Sequence, residues 1–154
     1  MLISSICRAR AVLLGIAAIA VTAAATPALP AAWAQSAPVT LASGTFSGTD
    51  SVHRGEGAAL LVKLQDGRVF LRFENLNVTN GPDLYVYLSG HPAPRNRSQL
   101  HEGAAHEVAV LKGNQGSQNY ELPAGLDLSK FRSAVIYCKR FSVVFATAEL
   151  KSRP

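Results

Sequence analysis

Two cysteines occur in the 154 residues, and their settings differ. Cys7 sits beside an apolar N-terminal stretch, whereas Cys138 ends an alternating run and is followed at once by Lys139 and Arg140. Nearby cations favour the thiolate, which is the form that attacks disulfides and binds metals. A buried thiol among apolar side chains is instead a small, unreactive hydrophobe. Both readings stay open for Cys138. In Ser133 to Cys138, residues Ala134, Ile136 and Cys138 share one strand face, while Val135 and Tyr137 share the other. Both faces are apolar, which marks a central strand. Regular alternation sends Lys139 to the side opposite the sulfur, whereas Arg140 can share the sulfur's side unless the chain has already turned.

Other chemistry-bearing residues form weaker patterns. His91, His101 and His106 fall in one polar stretch, and the last two are five apart, so they are the candidate imidazole ligands for a metal or a haem iron. Solvated loop histidines are the plainer reading. The Cys-x-x-Cys-His run of a c-type haem is absent. No histidine follows Cys138 and the one methionine is Met1, which disfavours blue copper. A structural zinc set is missing as well. The Gly-x-Ser-x-Gly elbow of serine hydrolases does not occur. No catalytic residue and no metal set can therefore be assigned. Gly81-Pro82-Asp83 breaks regular structure before Leu84 to Leu88, and Asp83 either bonds to backbone amides there or faces a ligand. Tyr85 and Tyr87 on that strand, with Tyr120 and Tyr137, supply the aromatic surface that a binding module would use.

The elements that must position these residues read as strands. Gly44 to Thr49 alternates around Phe46. Gly57 to Leu64 is a nearly continuous apolar run, and Asp66-Gly67 predicts a type I′ turn into Arg68 to Phe73. There Val69, Leu71 and Phe73 point one way and Arg68, Phe70 and Arg72 the other, giving one core face and one partly wet face. Ser89 to Glu107 has no pattern. Val108 to Leu111 and Asn119 to Leu122 read as short strands around a Gly113 to Gly116 turn. Leu126 to Phe131 is the one helical turn expected outside the N-terminal segment, and Ser133 to Cys138 with Phe141 to Leu150 closes the chain as a pair. This spacing predicts an all-β protein, an antiparallel β-sandwich of about eight short strands or a flattened barrel.

The first 34 residues read as a cleaved signal peptide. Arg8 and Arg10 precede the uncharged run Ala11 to Ala25, and Ala32-Trp33-Ala34 supplies the small-x-small cleavage pattern before Gln35. A spanning helix needs about 20 continuous apolar residues for a core of roughly 30 Å. This run is shorter, so no membrane span is expected after cleavage. Residues 35–43 then read as a short linker and 44–151 as one domain, of ordinary domain size. The protein is expected to be periplasmic or secreted. Once Cys7 leaves, Cys138 has no mate for an internal disulfide. The formal charge of +5 falls to about +3 when Arg8 and Arg10 leave. The remaining cations are scattered between acids, unlike a phosphate-tracking stripe, and nucleic acid is not an expected partner.

Three segments carry a resemblance. Gly81 to Leu88 (GPDLYVYL), Leu111 to Pro123 (LKGNQGSQNYELP) and Val135 to Phe145 (VIYCKRFSVVF) are similar to the DM13 domain, in the right order, within a match running from about Gly44 to Leu150. The resemblance implies a β-sandwich related to the DOMON domains and found in exported proteins. It also implies a proposed electron-transfer role centred on the family's cysteine, as a bare thiol or through a bound group such as haem. Cys138 occupies that position, with Lys139, Arg140 and Tyr137 around it. Where the family often has Trp before the cysteine, this chain has Tyr137. A redox partner protein is then expected. The alternative function is an extracellular module that binds a carbohydrate or other small ligand, with Cys138 as inert core.

Overall fold

The computed structural model of the protein describes residues 37–152. The segment read as an export signal, with Cys7 and the cleavage point before Gln35, lies outside the described residues. Nine strands follow one another: β1 (Val39–Gly48), β2 (Gly55–Lys63), β3 (Val69–Val78), β4 (Leu84–Ser89), β5 (Ala105–Val110), β6 (Gln115–Glu121), β7 (Ser133–Cys138), β8 (Val143–Glu149) and β9 (Lys151–Ser152). All the pairings are antiparallel. Eight strands run in the order β5-β4-β7-β8-β1-β2-β3-β6, and β9 pairs with β1 off that path. The expected all-β, antiparallel architecture is present, as one strongly curled sheet that forms a half-barrel.

The curl turns on β1. Its residues Val39 to Thr45 pair with β2, and Phe46 to Gly48 pair with β8. One strand thus serves both lobes. At the changeover a Cβ on Gly44 would lie 2.0 Å from the Glu149 carbonyl oxygen, so only glycine lets the two backbones approach. β1 also begins at Val39, inside the stretch whose composition reads as linker, because Val39 to Ala42 find partners on Lys63 to Leu61.

The concave side holds the main core. Phe46, Leu71, Phe73, Leu76, Val86, Leu88, Ile136 and Phe145 are buried there. Phe73 is its hub, with its ring 4.9 Å from Phe46 and 5.4 Å from Tyr120. A fully buried side chain of this size stabilises the fold by roughly 1.5–3 kcal/mol. On β3, Leu71 and Phe73 face this core, while Phe70 and Arg72 stay partly exposed, as the alternation predicts.

Several local expectations are corrected. The hairpin between β2 and β3 exists, but its turn is not type I′. That type needs positive φ at both central residues, and among Asp66 and Gly67 only Gly67 has it. The bonds Gly67 N–H to the Leu64 carbonyl and Leu64 N–H to the Arg68 carbonyl make a turn closed by a left-handed glycine. β5 and β6 do not pair with each other. They form the two opposite edges of the half-barrel, joined by residues 111–114. The helical turn expected at Leu126 to Phe131 is a 3-10 turn over Leu128–Lys130.

The patternless stretch contains a one-turn helix, α1 (Arg97–Leu100), capped by the Asn96 side chain, which accepts from the Gln99 N–H at 3.0 Å. Three hydroxyls tie this stretch to the convex side. Ser89 Oγ donates to the Leu100 carbonyl, Ser133 Oγ to the His91 carbonyl and Thr147 Oγ1 to the Pro94 carbonyl. Leu100 is thereby driven onto Val135, Tyr87, Tyr137 and Val144, which form a second, smaller apolar cluster. Among the described residues no helix is long and apolar enough to cross a membrane.

Candidate functional site

β7 lies between β4 and β8, and all six of its residues are buried. Its two faces belong to different clusters. Ala134, Ile136 and Cys138 enter the main core, while Val135 and Tyr137 enter the convex cluster. The alternation read from the sequence is therefore the alternation observed.

Cys138 is the last residue of the strand, opposite Leu84 of β4 and Val143 of β8. It is free and wholly enclosed, with 0% of its surface exposed. No face of the residue reaches solvent, so a haem or metal could reach the sulfur only by displacing core side chains. Cys138 in this arrangement does not fit as an iron ligand or a haem attachment point. Lys139 projects to the convex side, away from the sulfur, and Arg140 is exposed in the turn that follows. That turn, Lys139 to Ser142, is closed by the Ser142 N–H donating to the Lys139 carbonyl, with Ser142 at φ 56°.

On the convex face the chain brings together residues far apart in sequence. Tyr85 and Tyr137 are paired across β4 and β7. The Lys139 Nζ sits 3.7 Å from the centre of the Tyr85 ring and 2.7 Å from Glu107 on β5. The Tyr87 hydroxyl donates to Glu107 Oε2 at 2.6 Å, and its ring meets Tyr137 edge to face with centroids 5.7 Å apart. Lys139 and Tyr87 hold the Glu107 carboxyl below the usual carboxylate range, and Glu107 in turn raises Lys139. Burial, and then the bond to Glu107, push the Tyr87 phenol well above its ordinary value.

The other candidates disperse. The Asp83 carbonyl accepts from the Lys139 N–H at 3.1 Å, tying the two ends of β4 and β7 together. Tyr120 lies in the concave core, apart from the other three tyrosines, where its hydroxyl accepts from the Lys112 N–H and donates to Gln118. His101 approaches Tyr87 on the convex side, with ring centroids 6.4 Å apart. His106 pairs with the core residue Leu88 and its ring lies near Phe131. The two imidazoles thus project to opposite faces of the sheet. Among the described residues no three of His, Cys, Asp and Glu gather as a metal set.

One pair went unread in the sequence. In the loop from β1 to β2, His53 Nδ1 lies 2.7 Å from Asp50 Oδ2, and the His53 ring packs on Phe145 with centroids 4.4 Å apart. Bonds from the His53 side chain and backbone lower Asp50 to about 2. The spacing Asp-x-x-His within a polar turn was the available signal.

These features define a class: an all-β half-barrel with one unpaired thiol sealed in its concave core and a tyrosine and ion-pair cluster on the reverse of the same strand. The family model described as Electron transfer DM13 matches residues 45–150, and the chain belongs to the DM13 family. No curated protein and no solved structure matches it.

Proposed function

We propose that the protein is an exported electron-transfer domain, periplasmic or secreted, in which Cys138 is the redox atom. The observation that carries this reading is the position of an unpaired sulfur at the very end of β7, next to a turn, in a chain of a family described by electron transfer. The signal-like first 34 residues support export. The two lobes of the curled sheet, joined through β1, are read as the two layers of the family's sandwich.

Burial dictates how such a thiol would work. In the closed fold it reacts more slowly than a free cysteine, so chemistry runs through local opening of the Lys139 to Ser142 turn. The exposed thiol loses its proton to solvent and attacks a disulfide of a partner protein. A bond forms from Cys138 Sγ to one partner sulfur, the partner's S–S bond breaks, and the other sulfur leaves as thiolate. Arg140, exposed in the same turn, would favour the thiolate once the strand end opens. Incubation with oxidised glutathione tests this: a mixed disulfide at Cys138 should form at a rate that rises when Ser142→Pro loosens the turn. A thiol that reacts only upon global unfolding would contradict it.

The enclosure of Cys138 favours a second reading, a binding module with the cysteine as inert core. Tyr85 on the convex face, with the polar atoms of Lys139 and Glu107, would then contact a carbohydrate or other small ligand, over the buried rings of Tyr87 and Tyr137. Titration with an oligosaccharide panel, followed by tyrosine fluorescence, separates the two: saturable quenching that survives Cys138→Ser supports binding.

A further inference from the structure

A tyrosine beside a carboxylate can lose an electron and a proton together, and the surroundings decide which tyrosine does so. The four described tyrosines differ in this respect. Tyr120 donates to Gln118, a neutral amide that cannot take a proton. Tyr85 carries the Lys139 ammonium over its ring at 3.7 Å, and a cation there opposes the positive charge that oxidation would create. Tyr137 is 4% exposed and reaches the convex cluster through the ring of Tyr87. Tyr87 alone pairs a ring with no cation stacked on it with a charged acceptor, since its hydroxyl points at Glu107 Oε2 from 2.6 Å.

We propose that Tyr87, with Glu107 as proton acceptor and Lys139 as the residue that positions Glu107, is a reversible one-electron site on the convex face. In the forward step an outer-sphere metal-complex oxidant takes one electron from the Tyr87 ring, and the phenolic proton moves along the existing hydrogen bond to Glu107 Oε2. The products are a neutral phenoxyl radical and a neutral carboxyl. In the reverse step an outer-sphere one-electron reductant returns the electron, and Glu107 returns the proton. Lys139 fixes the carboxylate by a 2.7 Å contact, so the acceptor is in place before the electron leaves. Tyr137, with its ring 5.7 Å from Tyr87, spreads the site toward β7. The site shares the electron-transfer reading of the domain and stands apart from the thiol.

The test uses purified protein and tris(bipyridyl)ruthenium(III) generated by a laser flash, with phenoxyl absorption and electron paramagnetic resonance as readouts. The wild-type protein should give a phenoxyl radical that forms more slowly in deuterium oxide. Tyr87→Phe should remove most of the signal, and Tyr120→Phe should leave it. Glu107→Gln keeps a hydrogen-bond acceptor but loses the base, so radical formation should slow by at least about a hundredfold, the low side of what a positioned base supplies. A full signal in Tyr87→Phe, a wild-type rate in Glu107→Gln or no isotope effect in the unaltered protein would each overturn the proposal. The last of these needs no variant. Cys138→Ser should retain the radical, and its disulfide exchange is scored separately, so failure of the thiol reading and failure of this site are told apart.

Discussion

The two faces of β7 share a backbone and almost nothing else. On the concave side Cys138 follows Ala134 and Ile136 into a core held by apolar packing, and its surface is sealed. On the convex side Tyr137 joins Tyr87, whose hydroxyl is bonded to a carboxylate that a lysine holds in place. The difference teaches where reactivity can reside. A sealed sulfur responds only to opening of the chain, whereas the convex cluster keeps the charged ends of Lys139 and Glu107 at the surface above its buried tyrosine rings.

Substitutions at the two faces should therefore fail differently. The largest effect is expected on the concave side: Phe73→Ala should cost about 3–5 kcal/mol, read as a lowered denaturant midpoint, because it empties the hub between Phe46 and Tyr120. A loss below about 1 kcal/mol would mean that the two lobes do not share a packed core. Cys138→Ser comes next. It places a hydroxyl among apolar neighbours and should cost about 1–3 kcal/mol, against a smaller loss for Cys138→Ala. Equal losses would show that polar partners reach this position.

Tyr87→Phe should cost about 1 kcal/mol, since Glu107 keeps Lys139 and remains partly exposed. The smallest effect is set by pH. The Tyr87 phenol is raised in the folded state, so its contribution is complete below the unfolded value of about 10 and is lost as pH climbs above it. Melting temperatures of the wild-type protein should fall over that alkaline window, and Tyr87→Phe should flatten the fall. Identical alkaline profiles would place the phenol outside the folded cluster.

Much of this division was legible in the sequence. Period-two alternation was enough to sort Ala134, Ile136 and Cys138 from Val135 and Tyr137, because a buried central strand keeps strict alternation. The same rule sorted β3. The convex cluster was not legible, because Glu107 and Lys139 meet across 32 residues and only the register of β4 against β5 and β7 joins them. The short link after Val110 suggested a hairpin, yet it carries the chain between opposite edges of the half-barrel. Ser89, Ser133 and Thr147 gave no sign that their hydroxyls would fasten the polar stretch after β4. Side chain to backbone bonds of that kind depend on tertiary placement, which neither propensity nor spacing encodes.

The central claim, that Cys138 is a redox atom reached by opening of its strand end, is tested most directly by trapping free thiols in the protein's own cell envelope and weighing the intact chain. The account predicts a chain beginning at Gln35, with a fraction of Cys138 joined by a disulfide to another thiol. A population in which every Cys138 is reduced, also after an oxidant has been supplied to the cells, would contradict it.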